Sequence, residues 1–386
     1  MARKPRNGST GVIRLADVAR RAGVSLATAS RVISATSDRV VAEALRERVL
    51  RAAAELGYTP NPHAQAMARG RSNLVGLIVQ DIADPYFAAI AAGVMREARA
   101  AGLLVALADT QRRSEEELAY VAAFRRDRAR AIVVAGSRTA SRTSTDGVAA
   151  ELAGFEAEGG RAVAISQPLL PVDTLSIQNR AGAEALAHAL HGLGYRRFLV
   201  LAGPPSLLTA GDRLAGFRDG LAQHGIRLLD EDVVNSEFTR DGGFSAMGRA
   251  LDAGVADGCV FAVNDVMAVG AMACLRARGV ALPDAIAVAG FDDIITLRDI
   301  TPALTTVRVP LEDVGARAAR LALQPAGRQL QLQEIAGSVV LRASTPPRAQ
   351  PSQTHSTKRS TMVESTSSGS AAQMSALKIS TSTSPS

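Results

Sequence analysis

Leu26, Ala27, Ser30 and Arg31 lie within six positions of one another, and all four face outward once residues 25–34 are wound into a helix. Such a set can do recognition chemistry rather than bond breaking. One guanidinium, a hydroxyl and two apolar groups sit at the N-terminal end of a helix, the end that touches base edges when a helix enters the major groove of DNA. Ala29, Val32 and Ile33 take the opposite, inward face. Ser25 precedes the helix, where its hydroxyl can accept an orphan backbone N–H.

Holding that helix against DNA requires a partner. Leu15, Val18, Ala19 and Ala22 recur at i, i+3, i+4 and i+7, so a preceding helix has one apolar face. Asp17 falls in its first turn, where a negative charge suits the helix dipole. Gly23 can adopt the left-handed conformation that ends a helix, and Val24 can tuck beneath the corner. Residues 15–34 therefore read as a helix-turn-helix. An ordinary helical hairpin has the same spacing, and charge separates the two. Residues 1–70 carry twelve Lys/Arg and five acids, a net +7 that equals the formal charge of the whole 386-residue chain. The other 316 residues hold 32 of each. A basic excess confined to this segment is the electrostatic footprint of phosphate binding.

At 386 residues the chain holds more than one domain. Apolar residues make up 47%, aromatics only 3%, and Trp is absent, so the core must be built from Ala, Val, Leu and Ile. Cys259 and Cys274 read as small buried hydrophobes in a reducing compartment, not as a disulfide. The basic N-terminus is followed by no apolar run, which argues against a signal peptide. No segment has the roughly 18 apolar residues of a membrane span. A cytoplasmic location and no membrane partner are expected. From 346 to 386 the chain is dominated by Ser and Thr, with a net +3 and no Leu heptad. It is expected to be a disordered tail that adds no coiled coil.

Leu45, Val49, Ala53 and Leu56 share one face of a third helix, stopped by Gly57. Asn61 is then a good N-cap and Pro62 suits the first position of a helix of about two turns. So short a helix is marginal in water, and it is expected to fold only when docked. From Leu74 onward, apolar runs at 75–79, 103–107, 131–134, 162–165, 197–202, 258–263 and 285–290 alternate with helical patterns such as 88–101, 115–126, 182–193 and 266–278. That alternation implies an α/β core of parallel sheets covered by helices on both faces. So many strands over about 275 residues suggest two sheets with a cleft between them, and ligands of open α/β sheets bind beyond the C-terminal strand ends.

Several motifs now stand in order: LADVARRAGVS, SRVIS, ELGYTPNPHAQAM, VGLIVQDIADPYF, LAGPP with RLAGF, FAVNDVMAVGAM, VAGFDDI and PALTTVRVP. Together, from about Ile13 to Thr345, the chain resembles the lactose-repressor (LacI-type) family of transcriptional regulators, whose two-lobed core resembles periplasmic sugar-binding proteins. The resemblance implies a helix-turn-helix domain over 1–59 and a hinge helix over 60–71. It implies an effector-binding and dimerising core over 72–345, with lobe one about 72–168 and 310–335 and lobe two about 169–309 and 336–345. It further implies a regulator, expected to be a repressor, that binds a palindromic double-stranded operator as a homodimer under control of a small-molecule effector, without a cofactor.

By that resemblance Leu26, Ala27 and Arg31 read bases. Arg31 can donate a bidentate pair to guanine O6 and N7, and the two apolar residues can touch a thymine methyl. Ser25, Thr28 and Ser30 are assigned to phosphates, which position without specifying. In the hinge, Met67 stands where the family usually has a Leu that wedges into the minor groove and kinks the duplex. Asn61 starts that helix, and His63 and Gln65 are placed toward the DNA backbone. The effector pocket would gather Asp81, Tyr86 and Phe87 from the first lobe with Thr209, Arg213, Phe238, Asn264 and Asp292 from the second. Carboxylates accept from sugar hydroxyls, Arg and Asn donate, and aromatic rings cover a sugar's apolar face. Arg213 and Asp292 have two readings, ligand contact or a purely mutual ion pair, and the first is favoured. Leu207 stands where purine-binding members carry Arg, which favours a sugar or sugar derivative. Other departures are a 34–40 loop about two residues long for the family, Ala42 at a usual Ser/Thr cap, Leu45 at a usual Thr, and Gln178 at a usual Asp.

Other constellations are weaker. His188 and His191 lie at i, i+3 with no third ligand near in sequence, so a solvated or packed pair is the better reading and no metal is expected. Asp265, Asp292 and Asp293 have a glycosidase-like look, but adjacent Asp residues after a strand more often cap or accept hydrogen bonds. The chain has no GxxxxGK[ST] loop and no GxSxG elbow. An enzyme would need a matched nucleophile and base, and a pure binding protein would lack the basic head; neither reading fits.

Overall fold

The computed structural model describes residues 13–34, 41–59, 71–325, 327 and 329–348. The head is built from α1 (Leu15–Ala22), α2 (Leu26–Ser34) and α3 (Glu43–Leu56). Their apolar stripes meet in a small core of Val18, Ala19, Ala22, Ala29, Val32, Val49, Ala52 and Ala53. Gly23 takes φ 62° at the end of α1, as the turn requires. Arg48 of α3 donates to the carbonyl oxygens of Ala22 and Gly23, filling acceptors that the helix end leaves open. Ala42 at the start of α3 makes no side-chain cap.

Six parallel strands form the first sheet: β1 (Leu74–Val79), β2 (Leu104–Asp109), β3 (Ala131–Ala135), β4 (Ala162–Ile165), β5 (Asp173–Ile177) and, much later in sequence, β11 (Leu332–Ile335). Their order is β11-β5-β4-β3-β1-β2. Helices α4 (Pro85–Ala100), α5 (Ser114–Arg126) and α6 (Arg142–Ala157) connect them. The second sheet contains β6 (Phe198–Ala202), β7 (Val233–Asn235), β8 (Gly258–Ala262) and β9 (Ile286–Ala289), in the order β7-β6-β8-β9. It is served by α7 (Asn179–Gly192), α8 (Leu208–Ala222), α9 (Arg240–Asp252) and α10 (Asp265–Ala277). β10 (Thr306–Arg308) and β12 (Ser338–Val340) pair antiparallel, and α11 (Leu311–Leu323) packs on α4.

The chain therefore crosses between the lobes three times, near 178, 309 and 337. The first crossing corrects the expected boundary at 168. β5 pairs with β4 on one side and β11 on the other, so residues 173–177 belong to lobe one. The strand is short and carries Asp173, whose buried carboxylate accepts from Arg161 and from the backbone N–H of Gln331. With so few aromatics, helices approach closely instead of interlocking large side chains. A Cβ on Gly270 of α10 would lie 1.9 Å from the carbonyl oxygen of Arg240 in α9, and one on Gly243 of α9 would lie 2.1 Å from that of Met267.

Candidate functional site

The head exposes the N-terminal end of α2. Ser25 Oγ accepts the Thr28 N–H at 3.1 Å and lies 2.8 Å from the Thr28 hydroxyl, so the cap is formed and both hydroxyls stay at the helix mouth. Leu26 is 55% exposed, Ala27 and Arg31 are exposed, and Ser30 is half-buried. The first turn of α2 holds no acid, which leaves the positive end of its dipole open to phosphate. Two of the head's acids are already paired, Asp17 with Arg20 at 3.0 Å and Glu55 with Arg21 at 2.6 Å. Asn61, His63, Gln65 and Met67 lie outside the described residues, as does the tail beyond 348.

The two lobes face each other across the carboxyl ends of their strands. Tyr86, Phe87, Thr209, Arg213, Phe238 and Asp292 line one narrow cavity there, together with Gln80, Asp84, Arg112, Gly136, Ser137 and Leu207. At its centre Arg213 is 1% exposed. Its Nη2 and Nη1 donate to the two carboxylate oxygens of Asp292 at 2.7 and 3.2 Å, its Nη1 to the Val263 carbonyl at 2.7 Å, and its Nε to Asn179 Oδ1 at 2.8 Å. The guanidinium also stacks 3.8 Å above the Phe291 ring. Four of its five N–H groups are thus committed: Arg213 and Asp292 form the mutual ion pair, and both also line the cavity where the other reading places a ligand.

Asp292 stands at φ 118°, a left-handed backbone that a non-glycine residue adopts at a cost of about 1–3 kcal/mol. Burial pushes its carboxyl up to about 7, against the pull of Arg213. Asp84 is raised by burial too, opposed by the Tyr86 N–H that it caps at 3.0 Å and by Arg112. Asp265, fully buried, is pushed up to about 6 by burial, opposed by the Thr306 hydroxyl at 2.7 Å and the Ile294 N–H at 3.0 Å. Those bonds tie β10 to α10, so Asp265 serves architecture.

Two expected pocket residues do not line the cavity. Asp81 turns back on its own loop, where Oδ1 accepts the Ala83 N–H at 3.0 Å. Asp84, three residues on, takes the position at the mouth of α4. Asn264 is the N-cap of α10, its Oδ1 accepting the Met267 N–H at 2.9 Å. Of the residues that sequence reasoning passed over, Asp84 had a readable signal, a cap immediately before a helix-starting Pro. Gln80, Arg112 and Ser137 had only their place at strand ends. The histidine pair gained a neighbour: His224 lies 2.8 Å from His188 and stacks on His191, although no group among the described residues could hold a metal ion.

The lobes are clipped together beside the cavity. Thr139 and Leu207 form an antiparallel bridge, with Leu208 N–H donating to Arg138 O and Ala140 N–H to Ser206 O, each at 3.0 Å. Thr209 donates its N–H to Ser137 Oγ at 3.1 Å and accepts from Gln167 Nε2 at 3.0 Å. The free space is about 30 Å³, room for one or two waters. A sugar-sized ligand therefore requires the lobes to part.

A three-helix DNA-reading head ahead of a two-lobed α/β core with an inter-lobe cleft defines a ligand-binding transcriptional regulator. The comparisons agree in both parts. The family model for bacterial regulatory proteins of the lacI family matches residues 14–61, and that for a periplasmic binding protein-like domain matches residues 187–345. The chain is 34% identical to the transcriptional regulator GalR of Escherichia coli, over 80% of this chain and 87% of that one. Among solved structures, the regulator CelR in complex with cellobiose is 30% identical with a TM-score of 0.63, covering 86% of this chain and 99% of that one. The Lac repressor dimer bound to operator and the anti-inducer ONPF is 26% identical with a TM-score of 0.74, covering 87% and 100%. The chain belongs to the lacI family of transcriptional regulators. No helix among the described residues is long and apolar enough to cross a membrane.

Proposed function

We propose that this regulator is a cytoplasmic repressor that binds a palindromic operator as a homodimer and is controlled by a sugar or sugar derivative in the inter-lobe cleft. It carries out no catalysis. The observation that carries the reading is the combination of an exposed, acid-free helix mouth on the head with a clipped, aromatic-lined cleft in the core. Tyr86, Phe87 and Phe238 offer apolar faces, and Asp292 and Asp84 offer acceptors for hydroxyls. The cellobiose held by CelR supports a carbohydrate, and the operator-bound Lac repressor dimer supports a dimer on DNA.

Mechanistically, an effector favours the lobe arrangement in which it makes more contacts, and that arrangement biases the 60–71 hinge and its Met67 wedge. Such coupling is typically about 1–3 kcal/mol and is reciprocal, so operator and effector must change each other's affinity by the same factor. The test is selection of bound sequences from a random duplex pool by purified full-length protein, alone and with a panel of sugars. A palindrome with a central C-G step is expected. No sequence preference under any of these conditions would overturn the reading.

A further inference from the structure

A second cavity adjoins the first and shares Gln80, Arg112, Ser137 and Leu207 with it. Its own wall is unlike a sugar site. Arg112, Arg113 and Arg138 face it with the hydroxyls of Thr110, Ser114 and Ser144, and the one acid lining it is Glu117. Arg138 is 3% exposed and spends Nη2 on Glu117 at 2.5 Å, while its buried Nε has no hydrogen-bond partner. The Nε of Arg112 is likewise buried without a partner, and Nη2 of that residue stands 3.5 Å from the carboxylates of Asp81 and Asp84, beyond good hydrogen-bonding distance.

Both helices that begin at this crevice, α5 after Arg113 and α6 after Ser141, lack a side-chain cap. Their first backbone N–H groups are therefore not consumed by caps, although three glutamates in the first turn of α5 already answer its dipole. Desolvated guanidinium N–H groups without acceptors are costly, and the two arginines that carry them line one crevice. Guanidinium also matches the geometry of carboxylate and phosphate oxygens.

We propose that the effector has two parts. Resting on the reading of the cleft as the effector site, its polyhydroxylated part lies beside Arg213 and Asp292, and an anionic group, a phosphate monoester or a carboxylate, lies against Arg112 and Arg138 in the adjoining cavity, which holds about 20 Å³ in this arrangement and widens as the lobes part. Leu207, which closes both cavities, belongs to the inter-lobe bridge with Thr139. A ligand spanning both spaces would therefore press directly on the clip that holds the lobes.

The experiment is calorimetric titration and thermal unfolding of the full-length protein with a set of aldohexoses. Each is offered as the neutral sugar, its 6-phosphate and its uronic acid, and inorganic phosphate is compared with chloride at equal ionic strength. For at least one sugar the anionic form is expected to bind ten times more tightly than the neutral parent or better, and whether the phosphate or the acid wins identifies the source of the charge. Inorganic phosphate alone should raise Tm above the chloride control. Arg112→Gln should bring the ratio of anionic to neutral affinity close to one. So should the double substitution Arg138→Gln/Glu117→Gln, which removes the buried pair together and so avoids stranding a charge. Equal binding of neutral and anionic forms, or no response to any anion beyond chloride, would overturn the inference. In that case operator release by a neutral sugar would leave the effector-cleft reading standing, with water satisfying the two guanidiniums.

Discussion

Replacing Arg213 by Met tests how much of the cleft is scaffold and how much is ligand site. The substitution keeps a long apolar stem near Phe291 but removes four hydrogen bonds and strands the Asp292 carboxylate, which is 3% exposed. Breaking a buried ion pair by deleting one partner costs about 3–5 kcal/mol, a large share of the roughly 5–15 kcal/mol that holds a typical domain. Asp292→Asn leaves the guanidinium buried without its counter-ion, while Asn179 and the Val263 carbonyl still hold it, so a loss of about 2–3 kcal/mol is expected. Removing both partners together should cost much less than the sum, with a coupling of about 2–3 kcal/mol. Urea unfolding followed by far-ultraviolet circular dichroism is the assay, because the chain has no Trp and only four Tyr. Additivity of the two single losses within about 0.5 kcal/mol would refute the paired-scaffold argument. The one uncommitted N–H can give a ligand a single charge-assisted bond, about 1.5–3 kcal/mol, or roughly ten- to 150-fold in effector affinity.

Arg31→Ala should reduce operator discrimination by about 1–3 kcal/mol per half-site in fluorescence-anisotropy titrations, with effector affinity unchanged; equal discrimination afterwards would remove Arg31 from base reading. Met67→Ala should lower both specific affinity and the bend angle measured by circular-permutation gel shift, and an unaltered bend would mean that Met67 is no wedge. Asp265→Asn addresses pH. The wild-type carboxyl is raised from an unfolded value near 4 to about 6, so its folded form is favoured by protonation. The associated stability is present below about pH 4 and is lost as pH rises through 6. Wild type should therefore lose about 2–3 kcal/mol relative to Asp265→Asn between pH 4 and pH 7.5, and a stability difference that does not move with pH would show that the burial is not felt.

Local patterns carried the head. A 3.6-residue apolar stripe, a left-handed glycine and a Ser cap specify α1, the turn and α2 almost residue by residue, because every determinant lies within a few positions. The strands written as unbroken apolar runs were legible for the same reason. β5, β7, β10, β11 and β12 were not: each mixes polar residues into a run of three to five positions, and partners distant in the chain complete their pairing. The site divides along the same line. Tyr86, Phe87, Thr209, Arg213, Phe238 and Asp292 came from motif positions and do line one cavity. Asp81 and Asn264 occupy motif positions too, yet the Oδ1 of each is taken locally, by a turn and by a helix cap. Arg112 and Arg138 have no periodic or motif signature, since their significance lies in unsatisfied N–H groups that only the packed crevice creates.

The three crossings between lobes bear on how the protein is made. Lobe one cannot close its sheet until β11 emerges about 155 residues after β5, and α11 must also arrive before it can cover α4. Over that interval β5 is an open edge strand, the kind of surface that recruits other chains, while the sheet of lobe two is already complete at β9. The order of completion on the ribosome is therefore the reverse of the order in sequence, and a nascent chain stalled between residues 290 and 330 is the species most in need of a chaperone.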